Sequence, residues 1–168
     1  MLEIRLLLPG DAREDFVSGD EALDRYFRLY AGQNQFRHRI GVNYVAIMDG
    51  RVIGYAGVSP AHIEVERLPA RLAKRLPGYP LPVLRLARLA TDHRVRGLGV
   101  GLELLKYVFG LAHRMSRDFG CVGLLVDAKL AAVAFYERYG FVALATELGT
   151  SQTAPVPMFI GLNRIPVP

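Results

Sequence analysis

The sequence predicts an α/β (α+β) fold, a single domain over residues 1–168 with a mixed central sheet of six to seven strands flanked by helices. Three observations carry this. Short apolar or alternating runs recur at residues 2–8, 42–48, 51–58, 82–91, 121–126, 141–145 and 156–162. Stretches of helical periodicity lie between some of them, above all 102–117 and 130–139. Strand, helix and strand then follow one another from Pro82 to Val126, an order that a parallel crossover in the middle of the sheet satisfies.

Each element has a local reason. Ser18-Gly19-Asp20-Glu21 has the form Ser-x-x-Glu of a capping box and introduces a helix to about Phe36, with Leu23, Tyr26, Phe27 and Tyr30 at helical spacing. Asp49-Gly50 between two apolar runs is a tight hairpin signal. Leu68 to Leu76 reads as a short helix with Pro69 near its first turn, and Pro77-Gly78-Tyr79-Pro80 forces an irregular connection after it. Gly140 after a helical run is a C-cap signal, and Phe141 restarts an apolar strand. No repeat, low-complexity tract or linker interrupts the chain.

Composition narrows the function classes. Hydrophobic content of 51% with 22% charged residues describes a globular chain. A single cysteine, Cys121, excludes an internal disulfide, and the four histidines show no metal-ligand spacing. No apolar run approaches the ~20 residues of a membrane span. Glu3 and Arg5 break the only apolar stretch a leader would need, so a cytoplasmic protein is the default expectation. Charge is unevenly placed: Arg67, Arg71, Lys74, Arg75, Arg85, Arg88, Arg94 and Arg96 face one acid, Asp92, across residues 67–96. That window is net +7 in a chain of net +5. Such a cluster suits a polyanionic ligand, cofactor phosphates or nucleic acid; the alternative is a solvated basic face.

The segment that carries most information is Arg94-Val95-Arg96-Gly97-Leu98-Gly99-Val100-Gly101, placed between a strand and a helix. Its glycines strip side chains from the turn, so backbone N–H groups can converge on an anion where the helix macrodipole also favours negative charge. No Gly-Lys-Ser/Thr follows, which excludes a P-loop, and no helical glycine completes a dinucleotide fingerprint. A plain glycine turn is the alternative. Arg-x-x-Gly-x-Gly resembles the pyrophosphate loop of the GCN5-related N-acetyltransferase (GNAT) family. The resemblance implies a splayed parallel strand pair, with Leu89, Ala90 and Thr91 bonding the pantetheine arm and acetyl carbonyl of acetyl-CoA. Arg94 and Arg96 to Leu102 (Gly97, Leu98, Gly99, Val100, Gly101) would cradle its phosphates.

Ala131-Ala132-Val133-Ala134-Phe135-Tyr136-Glu137-Arg138-Tyr139-Gly140-Phe141 is similar to the same family's last helix–strand signature. The resemblance makes Tyr136 the general acid beside the thioester sulfur and sets Phe135 against the cofactor; Phe135 and Tyr139 otherwise read as core aromatics. Expulsion of a thiolate gains from a proton donor, and a phenol of pKa about 10 stays protonated at neutral pH. His62, Glu64 and Glu66 are candidate bases, though each reads more readily as a surface residue. Cys121 lacks an activating partner, and no Gly-x-Ser-x-Gly elbow offers a serine route. Direct transfer without an acyl-enzyme follows.

Within the family, Ser18 to Asp24, Ala31-Gly32-Gln33-Asn34-Gln35 and Pro82 to Asp92 look like the GNAT toxins of bacterial toxin–antitoxin modules. The resemblance implies acetylation of the α-amine of an aminoacyl-tRNA, an amine less basic than lysine that needs no dedicated base. Arg71, Lys74, Arg75, Arg85 and Arg88 are then the candidate tRNA contacts. The implied partners are acetyl-CoA, tRNA, a small DNA-binding antitoxin and a second copy of the chain, with no metal and no membrane. Two other readings stay open: acetylation of a small-molecule or protein amine, and a catalytically silent module that binds coenzyme A or a protein.

Overall fold

The computed structural model describes residues 1–144 and 155–167. Among them seven strands form one sheet: β1 (Glu3–Leu6), β2 (Val42–Met48), β3 (Arg51–Ile63), β4 (Leu81–Thr91), β5 (Gly123–Ala128), β6 (Val142–Ala143) and β7 (Val156–Gly161). Their order is β1-β2-β3-β4-β5-β7-β6. The helices are α1 (Glu21–Arg25), α2 (Ala70–Ala73), α3 (Val100–Asp118) and α4 (Val133–Arg138). The expected mixed sheet is present, and β4 and β5 are its parallel pair. Ala145, the end of one predicted strand run, lies outside the described residues. No described helix is long and apolar enough to cross a membrane. Contacts gather the chain into two units, Met1–Ser59 with Ala87–Val108, and Pro60–Leu86 with Phe109–Pro168.

In the first unit β1 pairs antiparallel with β2, and β2 with β3. Asp49 and Gly50 turn the hairpin with φ of 51° and 74°. Two consecutive left-handed residues define a type I′ turn, whose twist matches that of the strands it joins. The core gathers Leu7, Phe16, Phe27, Ala31, Val45 and Tyr55. Phe27 stacks on Tyr55 at 4.2 Å between centroids while Phe16 meets both rings edge-on. The Tyr55 hydroxyl donates to the Leu23 carbonyl at 2.8 Å, so the buried phenol is satisfied.

The capping box is corrected. Asp20 caps α1, its carboxylate accepting from the N–H groups of Ala22 and Leu23, whereas Ser18 turns its hydroxyl to Asp24. The helical path continues to His38, but through wider π-type turns at Tyr26–Tyr30 and Gln33–His38. A wider turn carries Tyr30 off the apolar face, leaving it 43% exposed, and Ala31 takes the buried place. The short helix expected over Leu68–Leu76 shrinks to α2. Beyond Ala73, the N–H groups of Arg75 and Leu76 bond carbonyls three residues back, and the chain tightens ahead of Pro77.

The second unit is built on β5. It pairs in parallel with β4 from Leu84↔Leu124 to Leu86↔Val126 and antiparallel with β7 from Gly123↔Gly161 to Ala128↔Val156. Ile63, Val65, Leu81, Val83, Leu125 and Phe159 fill its core. Gly123 has no room for a side chain: a Cβ there would collide with the Ile160 carbonyl and the Phe159 ring. Gly123→Ala is therefore expected to destabilise the fold by about 2–3 kcal/mol, an overpacking effect. A denaturant midpoint unchanged from the parent would show that β7 gives way freely.

Candidate active site

The glycine loop belongs to the first unit. Asp92 follows β4, a tight turn spans His93–Val95, and α3 begins at Val100. Gly97 and Gly99 have φ of +83° and +82°, the left-handed region that glycine occupies without strain. A Cβ on either would meet no described residue within 4 Å, so among the described residues the space above the loop is open. The first N–H groups of a helix lack intrahelical acceptors. That of Glu103 reaches the Gly99 carbonyl at 3.1 Å, leaving those of Val100, Gly101 and Leu102 for an external acceptor. The Leu98 N–H, expected to help, turns back to the Val95 carbonyl at 3.1 Å. An open, side-chain-free cradle at the start of a 19-residue helix fits a pyrophosphate. Gly99→Asp would strain the left-handed turn and set a carboxylate in that cradle; acetyl-CoA affinity should fall about tenfold or more. Unchanged affinity by calorimetry in a folded variant would place the cofactor elsewhere.

The two loop arginines have different partners within the chain. Arg94 grips Asp92 with both arms of its guanidinium, Nε to Oδ1 at 2.8 Å and Nη2 to Oδ2 at 2.9 Å. Asp92 is wholly buried, and the Arg94 hydrogen bond holds its carboxyl well below the usual carboxylate range despite burial, aided by the N–H groups of Arg94 and Val17. Arg96 donates from Nη2 to the Ser18 carbonyl at 2.7 Å. A guanidinium has five donors, so this one bond leaves Arg96 others for a phosphate.

Along β4, Ala90 is buried while Leu89 and Thr91 are half-buried. Gly54 on β3 permits close packing here: a Cβ would stand 3.2 Å from the Ala90 carbonyl oxygen and 2.9 Å from the tip of Leu104. Arg88 lies flat over the Tyr26 ring, 3.5 Å from its centroid, and the Tyr26 hydroxyl donates to Asn43 at 3.3 Å. Sequence reading missed Asp92, Gly54 and Tyr26 as parts of the site's support. Asp92 carried the only available signal, as the lone acid in a basic window.

In the second unit α4 presents Tyr136, 4% exposed, with Phe135 and Phe141 edge-on at 5.2 Å. Phe135 and Tyr139, read as core aromatics, are only half-buried. The Tyr136 hydroxyl has no hydrogen-bond partner among the described residues, yet it is not a sealed, unsatisfied group. Burial pushes its pKa up, so it stays a proton donor. Arg71, Lys74 and Arg75 are exposed. Arg71 and Arg75 border a groove of about 480 Å³ floored by Leu72, Leu76 and Val122. Arg85 is tied to Asp127 at 2.7 Å. His62, Glu64 and Glu66 are exposed. Cys121 is buried, its thiol 3.1 Å from the Gly123 carbonyl, and burial raises its pKa, the opposite of what a nucleophile needs. No metal-binding cluster occurs among the described residues.

A family model described as an acetyltransferase (GNAT) domain matches residues 39–143. This chain belongs to the GNAT acetyltransferase family. It is an acetyl-CoA-dependent N-acetyltransferase by that membership. A GNAT relative from Mycobacterium tuberculosis, a tRNA-acetylating toxin, is 31% identical over 144 residues, covering 85% of this chain and 86% of the relative. The solved GNAT structure of AtaT complexed with acetyl-methionyl-tRNAfMet superposes with a TM-score of 0.87 at 25% identity, over 98% of this chain and 97% of that one. AtaTR bound with acetyl-CoA gives 0.81 at 25% identity, over 98% and 95%.

Proposed function

We propose that this GNAT protein transfers acetyl from acetyl-CoA to the α-amine of an aminoacyl-tRNA, acting as one N-acetyltransferase domain over residues 1–168. The likeness to a tRNA-acetylating toxin across 85% of the chain carries the choice of acceptor. Acetyl-CoA supplies an activated thioester. The chain's own residues then do three things. The N–H groups of Val100, Gly101 and Leu102, with Arg96, hold its phosphates. Leu89, Ala90 and Thr91 orient the pantetheine and acetyl carbonyl through a splayed strand end, and Phe135 lies against the cofactor. Tyr136 gives its proton to the leaving sulfur. The attacking α-amine is weakly basic and enters uncharged, so exposed His62, Glu64 or Glu66 is not required; the proton the nitrogen loses as the amide forms passes to water, and water reprotonates Tyr136. The protein partner in this reading is a small DNA-binding antitoxin, and the compartment is the cytoplasm.

The test is transfer of labelled acetyl to purified aminoacyl-tRNAs, with a polyamine and a peptide amine in parallel. Transfer to at least one charged tRNA is expected. Robust labelling of the small amines with none on any charged tRNA would replace the proposed acceptor.

A further inference from the structure

The segment Ser18–Asp24 resembles the toxins in sequence, yet neither it nor the adjoining Asp15–Val17 carries a residue of the proposed chemistry. The first half of this stretch is bonded to the residues that lead into the glycine loop. The Val17 carbonyl accepts from the His93 N–H at 2.8 Å, and the Val17 N–H donates to Asp92 Oδ2 at 3.2 Å. The Ser18 carbonyl accepts from Arg96 at 2.7 Å. Gly19, with φ of +97°, keeps that approach open, since a Cβ there would stand 3.1 Å from Arg96 Nη2. The other end of the segment is pinned to α1. Asp24, 2% exposed, accepts both the Ser18 N–H at 2.9 Å and the Ser18 hydroxyl at 2.6 Å through the same oxygen. Arg28 clamps the Phe16 carbonyl through Nε at 3.0 Å and Nη2 at 2.6 Å.

We propose that Ser18 and Asp24 are positioning residues for acetyl-CoA, acting through the Ser18 carbonyl on Arg96 and the glycine loop. A buried carboxylate with two charge-assisted bonds to one residue fixes where that residue's carbonyl points. The carbonyl fixes the guanidinium at the loop, and Asp92 fixes the loop's start from the neighbouring Val17 N–H. Gly97 and Gly99 add no side-chain contacts of their own, so the loop takes its rigidity from this arm. Arg96 is in this sense oriented before any phosphate arrives, and loosening the arm makes that ordering a charge on binding. The inference rests on the glycine loop being the acetyl-CoA site.

The experiment measures acetyl-CoA affinity by calorimetry, steady-state KM and kcat, and thermal unfolding. Asp24→Ala is expected to raise Kd and the acetyl-CoA KM about tenfold, the scale of a slightly misplaced binding group, with kcat within about twofold. Asp24→Asn keeps an oxygen to accept from Ser18 and should restore most of the affinity. In an Arg96→Ala background, Asp24→Ala should add little, because both act on one link. Asp11→Ala, which removes the Arg5–Asp11 pair in the same unit, should lower the melting temperature with Kd unchanged. A folded Asp24→Ala protein with parental Kd, or fully additive losses with Arg96→Ala, would overturn the proposal. If Asp24→Ala does not fold, Ser18→Ala decides: a rise of about threefold in Kd is expected, and none refutes it. Gly99→Asp separates the two levels, since parental affinity there removes the loop itself as the site.

Discussion

Tyr136→Phe is expected to lower turnover about 10²-fold while acetyl-CoA affinity stays within about twofold of the parent. The substitution keeps a ring that is nearly buried against Phe135 and Phe141, so packing survives. What disappears is a hydroxyl with no hydrogen-bond partner among the described residues. Loss of kcat with unchanged Kd marks an interaction made in the transition state alone. Burial raises the phenol's pKa, so Tyr136 remains protonated through and beyond the ordinary phenol range near 10. The parent's rate should accordingly show no alkaline limb below about pH 10 that the Phe variant lacks. The sign for stability follows from the same shift. The unfolded chain ionises this phenol first, so its contribution is full below about pH 10 and is lost as pH rises further. Parental kcat in the Phe variant across pH would return Tyr136 to the core.

Local signals in the sequence reached the parts of this molecule that are made locally. Asp49-Gly50 announced the hairpin, Gly97 and Gly99 the left-handed turn, and the apolar period the long α3. Tyr136 stands out through a motif, and its burial depends on the packing of Phe135 and Phe141 around it. What sequence could not show depends on contacts across long separations. Ser18 looked like a cap because Glu21 stands three residues on; it serves instead as a tether because Asp24 is buried beside it and Arg96 reaches its carbonyl from 78 residues away. The pairing of Arg94 with a wholly buried Asp92 is another contact that no local pattern announces. Gly54 carries no local signal at all, since its lack of a side chain matters only where Ala90 and Leu104 come close.

The second large effect separates tRNA from small amines as the acceptor. Simultaneous charge reversal at Arg71, Lys74 and Arg75 is expected to abolish acetylation of charged tRNA and to leave acetyl-CoA affinity unchanged. All three side chains are exposed, so the fold should tolerate the change. Arg85 and Arg88 are poorer targets: the first is paired with Asp127, and the second is laid over Tyr26, so reversal there would disturb structure as well as charge. Each cation that neutralises a phosphate releases a counterion, and affinity for a nucleic acid then falls steeply with salt, by close to one power of salt concentration per contact. The parent's tRNA affinity should show that slope, and single charge-neutralising changes at these positions should flatten it by about one unit each. Reversing three positions turns three attractions into repulsions, a far larger change than losing three neutral contacts. A small-amine enzyme has no polyanion to release counterions from, so it would show a shallow salt dependence and tolerate the triple reversal. Parental rates on charged tRNA in the triple variant, at both low and moderate salt, would remove these residues from the tRNA site.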